Sequence, residues 1–124
     1  MKTVETKKAP APIGPYSQAV VSGNFVFVSG QVAKNASTGT MVTDNIKEEA
    51  KQVMENVKAV LEAAGSNLGK VVKTSIFLSN MDNFAQVNEV YGSYFTGNYP
   101  ARETVQVSRL PLNVNVEISV IAEV

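Results

Sequence analysis

Phe25-Val26-Phe27-Val28 is apolar at four consecutive positions, and successive side chains of an extended strand point to opposite faces. A strand with one face in water does not tolerate that pattern, so both faces of this one must be covered. The chain predicts only two helices to do it. From about Asn45 to Ala64, Ile46, Ala50, Val53, Met54, Val57, Val60, Leu61 and Ala64 recur at helical spacing. Asn45 with Glu48 suits a capping box, and Gly65 stands where a C-terminal cap belongs. A second helix from roughly Asn83 to Phe95 carries Phe84, Val87, Tyr91, Tyr94 and Phe95 on one stripe.

The remaining apolar runs read as strands. Pro10, Pro12 and Pro15 hold an extended leading segment out of any helix. Ser17–Ser22 and Phe25–Ser29 form a hairpin closed by Gly23-Asn24, whose leading glycine suits a type II′ turn. Residues 30–43 are a loop. Val71–Leu78, Arg102–Arg109 and Val114–Val124 complete the set, with a short strand at Thr3–Thr6. Two helices cover one face of such a sheet, and the other must meet something apolar, most simply a second copy. The expected architecture is α+β: a mixed sheet with two helices packed on one face, self-associating through the other.

At 124 residues the chain is a single domain over 1–124, long enough to bury a real core. Charged residues make up 18%, below the roughly 25% usual in soluble domains, which again favours self-association. The 11 basic and 11 acidic residues balance, so no nucleic-acid footprint shows. Met1–Lys8 lacks an apolar signal core and no run approaches membrane-spanning length. With no cysteine, the expectation is a cytoplasmic protein without a membrane partner. Asn35-Ala36-Ser37 then reads as a loop rather than a glycosylation site.

The absence of histidine and cysteine also excludes imidazole bases, thiolate nucleophiles and the usual zinc sites. Chemistry falls to Arg, Glu, Tyr, Ser, Lys or the backbone. Arg102 follows Pro100-Ala101 at the start of a strand, where its planar fork suits a carboxylate or an ordinary surface ion pair. Glu117 interrupts the strand Val114–Ala122. Val114, Val116, Ile118, Val120 and Ala122 form its apolar face, leaving Glu117 with Asn115, Ser119 and Ile121. A carboxylate there can position and deprotonate a water, or simply face solvent. Asn88 sits inside the apolar stripe of the second helix and needs a partner, in the protein or in a ligand. Tyr16 and Ser29 end two turn-like motifs, Gly14-Pro15-Tyr16-Ser17 and Val28-Ser29-Gly30-Gln31.

Five segments occur in register: Ile13-Gly14-Pro15-Tyr16, Phe27–Gln31, Phe84–Asn88, Pro100-Ala101-Arg102 and Val116–Ala122. With Asn56-Val57-Lys58 and Arg109-Leu110-Pro111 they resemble the RidA (reactive intermediate deaminase A, YjgF-type) family almost end to end. The resemblance implies a chorismate-mutase-like fold in a homotrimeric barrel, with three clefts between subunits. It implies cofactor- and metal-free hydrolysis of reactive 2-enamines and 2-imines, such as 2-aminoacrylate, to 2-keto acids and ammonia. On that resemblance Arg102 grips the substrate carboxylate and Glu117 orients the attacking water. Tyr16 assists catalysis, and Ser29, Gly30, Asn88 and Thr104 contact the substrate.

Two residues depart from the family pattern. Thr104 stands where many relatives carry cysteine, which removes any thiol contact. Glu103 follows the arginine where a small residue is usual; strand alternation aims it away from Arg102 unless the strand bulges. A non-catalytic module binding a small carboxylate on the same scaffold is the alternative. Ribonuclease activity, sometimes attributed to relatives, is disfavoured by neutral charge and the missing histidine.

Overall fold

The computed structural model describes all residues, Met1–Val124. Its strands are β1 (Lys2–Val4), β2 (Ala19–Ser22), β3 (Phe25–Gln31), β4 (Val71–Leu78), β5 (Ala101–Gln106) and β6 (Val116–Glu123). The helices are α1 (Ile46–Ala63), between β3 and β4, and α2 (Phe84–Gly92), between β4 and β5. The strands form one mixed sheet in the order β1-β2-β3-β6-β4-β5. All neighbours are antiparallel except β4 and β5, which run parallel because α2 carries the chain across between them.

The expected elements are present, with shifted ends. Ser22 pairs with Phe25, so Gly23-Asn24 is the whole hairpin loop, and positive φ falls only on Gly23, as a type II′ turn requires. The loop after β3 holds a small turn of its own: Lys34 bridges to Met41, and Asn35 Oδ1 accepts from the amides of Ser37 and Thr38. The second helix ends at Gly92, leaving Tyr94 and Phe95 in the following turn rather than on its stripe. The N-terminal strand is Lys2–Val4, not Thr3–Thr6, because residues from Thr6 onward are drawn away by Gln18.

Both ends of α1 are closed by local chemistry. Asn45 Oδ1 accepts from the amides of Lys47 (3.0 Å) and Glu48 (3.2 Å). Glu48 does not return the bond, so only half of the capping box forms. At the other end Gly65 adopts φ 81°, its amide donating to Glu62 and that of Ser66 to Leu61. This is the Schellman closure that a glycine at C′ favours.

Both helices lie on one face of the sheet. Val53, Met54, Val57 and Leu61 of α1 and Val87 and Tyr91 of α2 join Val26, Val28, Ile76, Leu78, Ile118 and Val120 in one core. The opposite face is bare. Phe25 and Phe27 are 39% and 41% exposed there, with Val105 at 41%.

Two buried polar side chains, Glu49 and Gln18, each anchor a neighbouring segment. Glu49 is fully buried, and its carboxylate accepts from the amides of Asn115 (2.8 Å) and Val116 (3.2 Å) and from Asn115 Nδ2 (2.7 Å). It ties α1 to the start of β6. Gln18, also buried, accepts from the Thr6 amide and donates to carbonyls of the proline-rich segment, including Pro10 at 2.8 Å. That segment leads directly into Ile13–Tyr16.

Candidate active site

Glu117 projects from β6 on the bare face. Along this strand burial alternates strictly, with Val116, Ile118, Val120 and Ala122 inside. Its carboxylate lies against Gly30, where the β3–β6 register shifts between Val28 and Gln31. A Cβ on Gly30 would stand 2.6 Å from Glu117 Oε2, so the glycine is what lets the carboxylate lie there. No lysine or arginine pairs with Glu117. Burial raises its pKa above the ordinary value of 4.5, toward the range in which a carboxylate becomes a better general base.

Around Glu117 is a cleft of about 460 Å³, lined among others by Ile13, Tyr16, Ser29, Gly30 and Leu112. Four of the seven sequence-predicted site residues therefore meet in one place. Ser29 is less free than expected. Its hydroxyl donates to the Ser17 carbonyl at 2.6 Å and its amide to Gln18, so only acceptor capacity remains for a ligand.

Arg102 points the other way. It opens β5 beside Thr74 of β4, and its guanidinium lies between the rings of Phe84 (5.7 Å) and Tyr91 (5.1 Å) of α2. Asn88 Oδ1 accepts from Nη1 at 2.7 Å, which answers what the asparagine on the apolar stripe was for. Tyr91 is held in turn by its hydroxyl, which donates to Thr74 Oγ1 at 2.9 Å. Burial pushes the Tyr91 phenol up, with the Thr74 bond and Arg102 opposing, so the ring stays neutral beneath the cation. No carboxylate pairs with Arg102, and its Nε and Nη2 have no partner within the chain. A second cleft of about 450 Å³ opens there, lined by Asn88, Tyr91, Tyr99 and Arg102 among others.

Thr104 follows on the same face as Arg102, and its buried Oγ1 has no hydrogen-bond partner. Glu103 faces oppositely, bonded to Ser75 Oγ and paired with Lys73 at 3.0 Å, partners that hold its carboxyl below the ordinary range. The β4–β5 register runs without a shift, so Glu103 does not neutralise Arg102.

The predicted residues thus divide into two half-sites on opposite faces of one sheet: Tyr16, Ser29, Gly30 and Glu117 on one, Arg102, Asn88 and Thr104 on the other. Sequence reasoning missed Phe84 and Tyr91 as the aromatic clamp, reading them only as core. It also missed Glu49, although a glutamate three residues after Ile46 and four before Val53 lies inside the apolar stripe of α1. No three carboxylates converge, so no ligand set for a metal ion is present.

The fold describes a small mixed α+β protein with one cleft on each face of its sheet. The chain belongs to the RidA (YjgF-type) family: the family described as Endoribonuclease L-PSP matches residues 6–124. It is 50% identical over 121 residues to a RutC family protein of Pyrococcus horikoshii, covering 98% of this chain and 96% of that protein. It is 47% identical to the 2-iminobutanoate/2-iminopropanoate deaminase of Mus musculus, covering 98% and 90%. Among solved structures, Escherichia coli TdcF with bound serine superposes with a TM-score of 0.96 at 41% identity, over 100% of this chain and 99% of that one.

Proposed function

We propose that this protein hydrolyses reactive 2-enamines and 2-imines, such as 2-aminoacrylate, to 2-keto acids and ammonia, using no cofactor. The observation that carries the reading is Glu117: an unpaired, half-buried carboxylate seated against Gly30 in an open cleft. Binding a carboxylate needs only an arginine; hydrolysis needs a base that holds a water. The deaminase relatives support the same chemistry.

In this reading the enamine tautomerises to its imine, and the free donors of Arg102 take the substrate carboxylate. Phe84, Tyr91 and Asn88 fix the plane of the guanidinium beforehand, which lowers the entropy lost on binding. Water held by Glu117 attacks the imine carbon, and ammonia leaves from the carbinolamine with a hydrogen bond from Tyr16.

Because Arg102 and Glu117 lie on opposite faces, one chain cannot close both around a single small substrate. We therefore place the complete site between copies, Arg102 of one facing Glu117 of the next. The bare sheet face carrying Phe25 and Phe27 supplies the contact, in a homotrimer located in the cytoplasm. Small-carboxylate binding without catalysis is the second reading, favoured by the serine bound to TdcF.

The test is ammonia release from 2-aminoacrylate generated in situ. Arg102→Ala and Glu117→Gln should each abolish acceleration, and only the first should abolish carboxylate binding. Co-refolding the two inactive variants should restore part of the activity, since mixed oligomers contain one native pair. No recovery would refute the shared site; no acceleration by the native oligomer would leave binding as the function.

A further inference from the structure

Two of the residues that α1 buries are polar, Glu49 and Asn56, seven positions apart and so two turns along one face. They are 0% and 1% exposed between the helix and the sheet, so a second copy docking on the bare face leaves their surroundings unchanged. Each reaches a different strand. Glu49 accepts from the amides of Asn115 and Val116, the two residues that precede Glu117. Asn56 works at the end of β3, its Nδ2 donating to the carbonyls of Val32 and Lys34 at 2.9 Å each. Its Oδ1 accepts from Gln52 Nε2 at 2.9 Å, which fixes the orientation of the amide. Core packing alone would not ask for an asparagine in Asn56-Val57-Lys58; two carbonyls of another segment do.

These two strand ends bracket the place where Glu117 meets Gly30. Val28 pairs with Val120 and Gln31 with Ile118, so β3 takes three steps where β6 takes two. The extra residue makes a β-bulge at Ser29-Gly30, where the ladder is interrupted. Past Gln31 the pairing of β3 with β6 does not continue. Ladder bonds therefore do not set the height of Gly30 against Glu117, and something else must.

We infer that Asn56 and Glu49 are positioning residues for the base. From the opposite side of the sheet, α1 holds the end of β3 and the start of β6 at the spacing that seats the Glu117 carboxylate against Gly30. Neither residue touches substrate. This inference rests on the deaminase reading. It concerns turnover rather than binding, because Phe84, Tyr91 and Asn88 fix Arg102 separately.

The experiment measures kcat and KM on 2-aminoacrylate generated in situ, for native protein and for Asn56→Ala, Glu49→Ala and Asn45→Ala, each below its unfolding midpoint. Asn45 bonds only within α1, so its variant registers what loss of helix stability does by itself. Asn56→Ala and Glu49→Ala should each lower kcat about tenfold with KM nearly unchanged. That is the loss expected of a shift of about half an ångström, since about 1 Å costs about 10²-fold. Asn45→Ala should leave both constants native. Added to Gly30→Ala, which already unseats the carboxylate, Asn56→Ala should cost little more, because both changes act on one placement. Native kcat in either positioning variant, a parallel rise in KM, an equal loss in Asn45→Ala, or losses that multiply in the double variant would overturn the inference and leave the deaminase reading standing. Asn56→Ser keeps one shorter donor; it should lose less than alanine, and it carries the same comparison where the alanine variant does not fold. Failure of the native protein to accelerate release would overturn the deaminase reading and this inference with it.

Discussion

Replacing Gly30 by alanine isolates the placement of Glu117 from its presence. The new Cβ would lie 2.6 Å from Oε2, 2.7 Å from Cδ and 3.1 Å from Cγ of Glu117. Ordinary contact begins at 3.4 Å, so the carboxylate must withdraw by about 0.8 Å. Gly30 is not among the positive-φ residues, so its backbone accepts alanine without strain. Glu117 is only half-buried and can swing into the cleft. Folding should therefore be nearly unaffected, because alanine at a compatible glycine position gains roughly 0.4–1 kcal/mol through the unfolded chain, offsetting the contact. Catalysis should suffer far more: a displacement near 1 Å in a reacting group can cost about 10²-fold. That corresponds to about 2.7 kcal/mol of transition-state stabilisation. The assay pairs kcat/KM for imine hydrolysis with carboxylate affinity and thermal unfolding of the same preparation. Near-native kcat/KM with intact folding would refute the argument that the seat against Gly30 sets the base. So would loss of affinity in parallel with activity.

Burial raises the Glu117 pKa in the folded protein, so its ionisation opposes folding. Below the unfolded value near 4.5 both states hold the proton and the stabilisation of the protonated form is fully present; it is lost as pH rises through the folded pKa. Glu117→Gln should accordingly raise Tm at pH 7, with the gain vanishing below about pH 4. Native deaminase activity should fall as pH drops through that same raised pKa, a limb absent from the stability curve of the glutamine variant. Asn45→Ala removes two amide bonds at the start of α1 and should cost about 1 kcal/mol in denaturant unfolding, with activity intact. Glu49→Ala strands the buried amides of Asn115 and Val116 and should cost about 3 kcal/mol or more. It should also loosen β6 and so speed amide exchange at Glu117's neighbours, which hydrogen exchange reads directly.

The pattern of the chain alone determined its secondary structure and layering. Helical spacing in α1, strict alternation in β6 and the glycines at 23 and 65 act over a few residues, and no distant contact overrides them. Side-chain alternation likewise separated Glu103 from Arg102. The bare apolar face followed from counting two helices against a strand apolar on both sides. Element ends were less legible, since the close of α2 at Gly92 and the length of β3 depend on what each neighbour pairs with. The candidate residues were visible one by one, but their division was not. Arg102 and Glu117 fall on opposite faces because the register pairs Arg102 with Thr74 and Glu117 with Phe77, residues of β4 that point to opposite sides of the sheet. Strand order and register are decided by long-range packing. The same holds for the aromatic clamp on Arg102, the Glu49 anchor and the seat of Glu117 over Gly30: each joins segments that only the closed sheet and its two helices bring together.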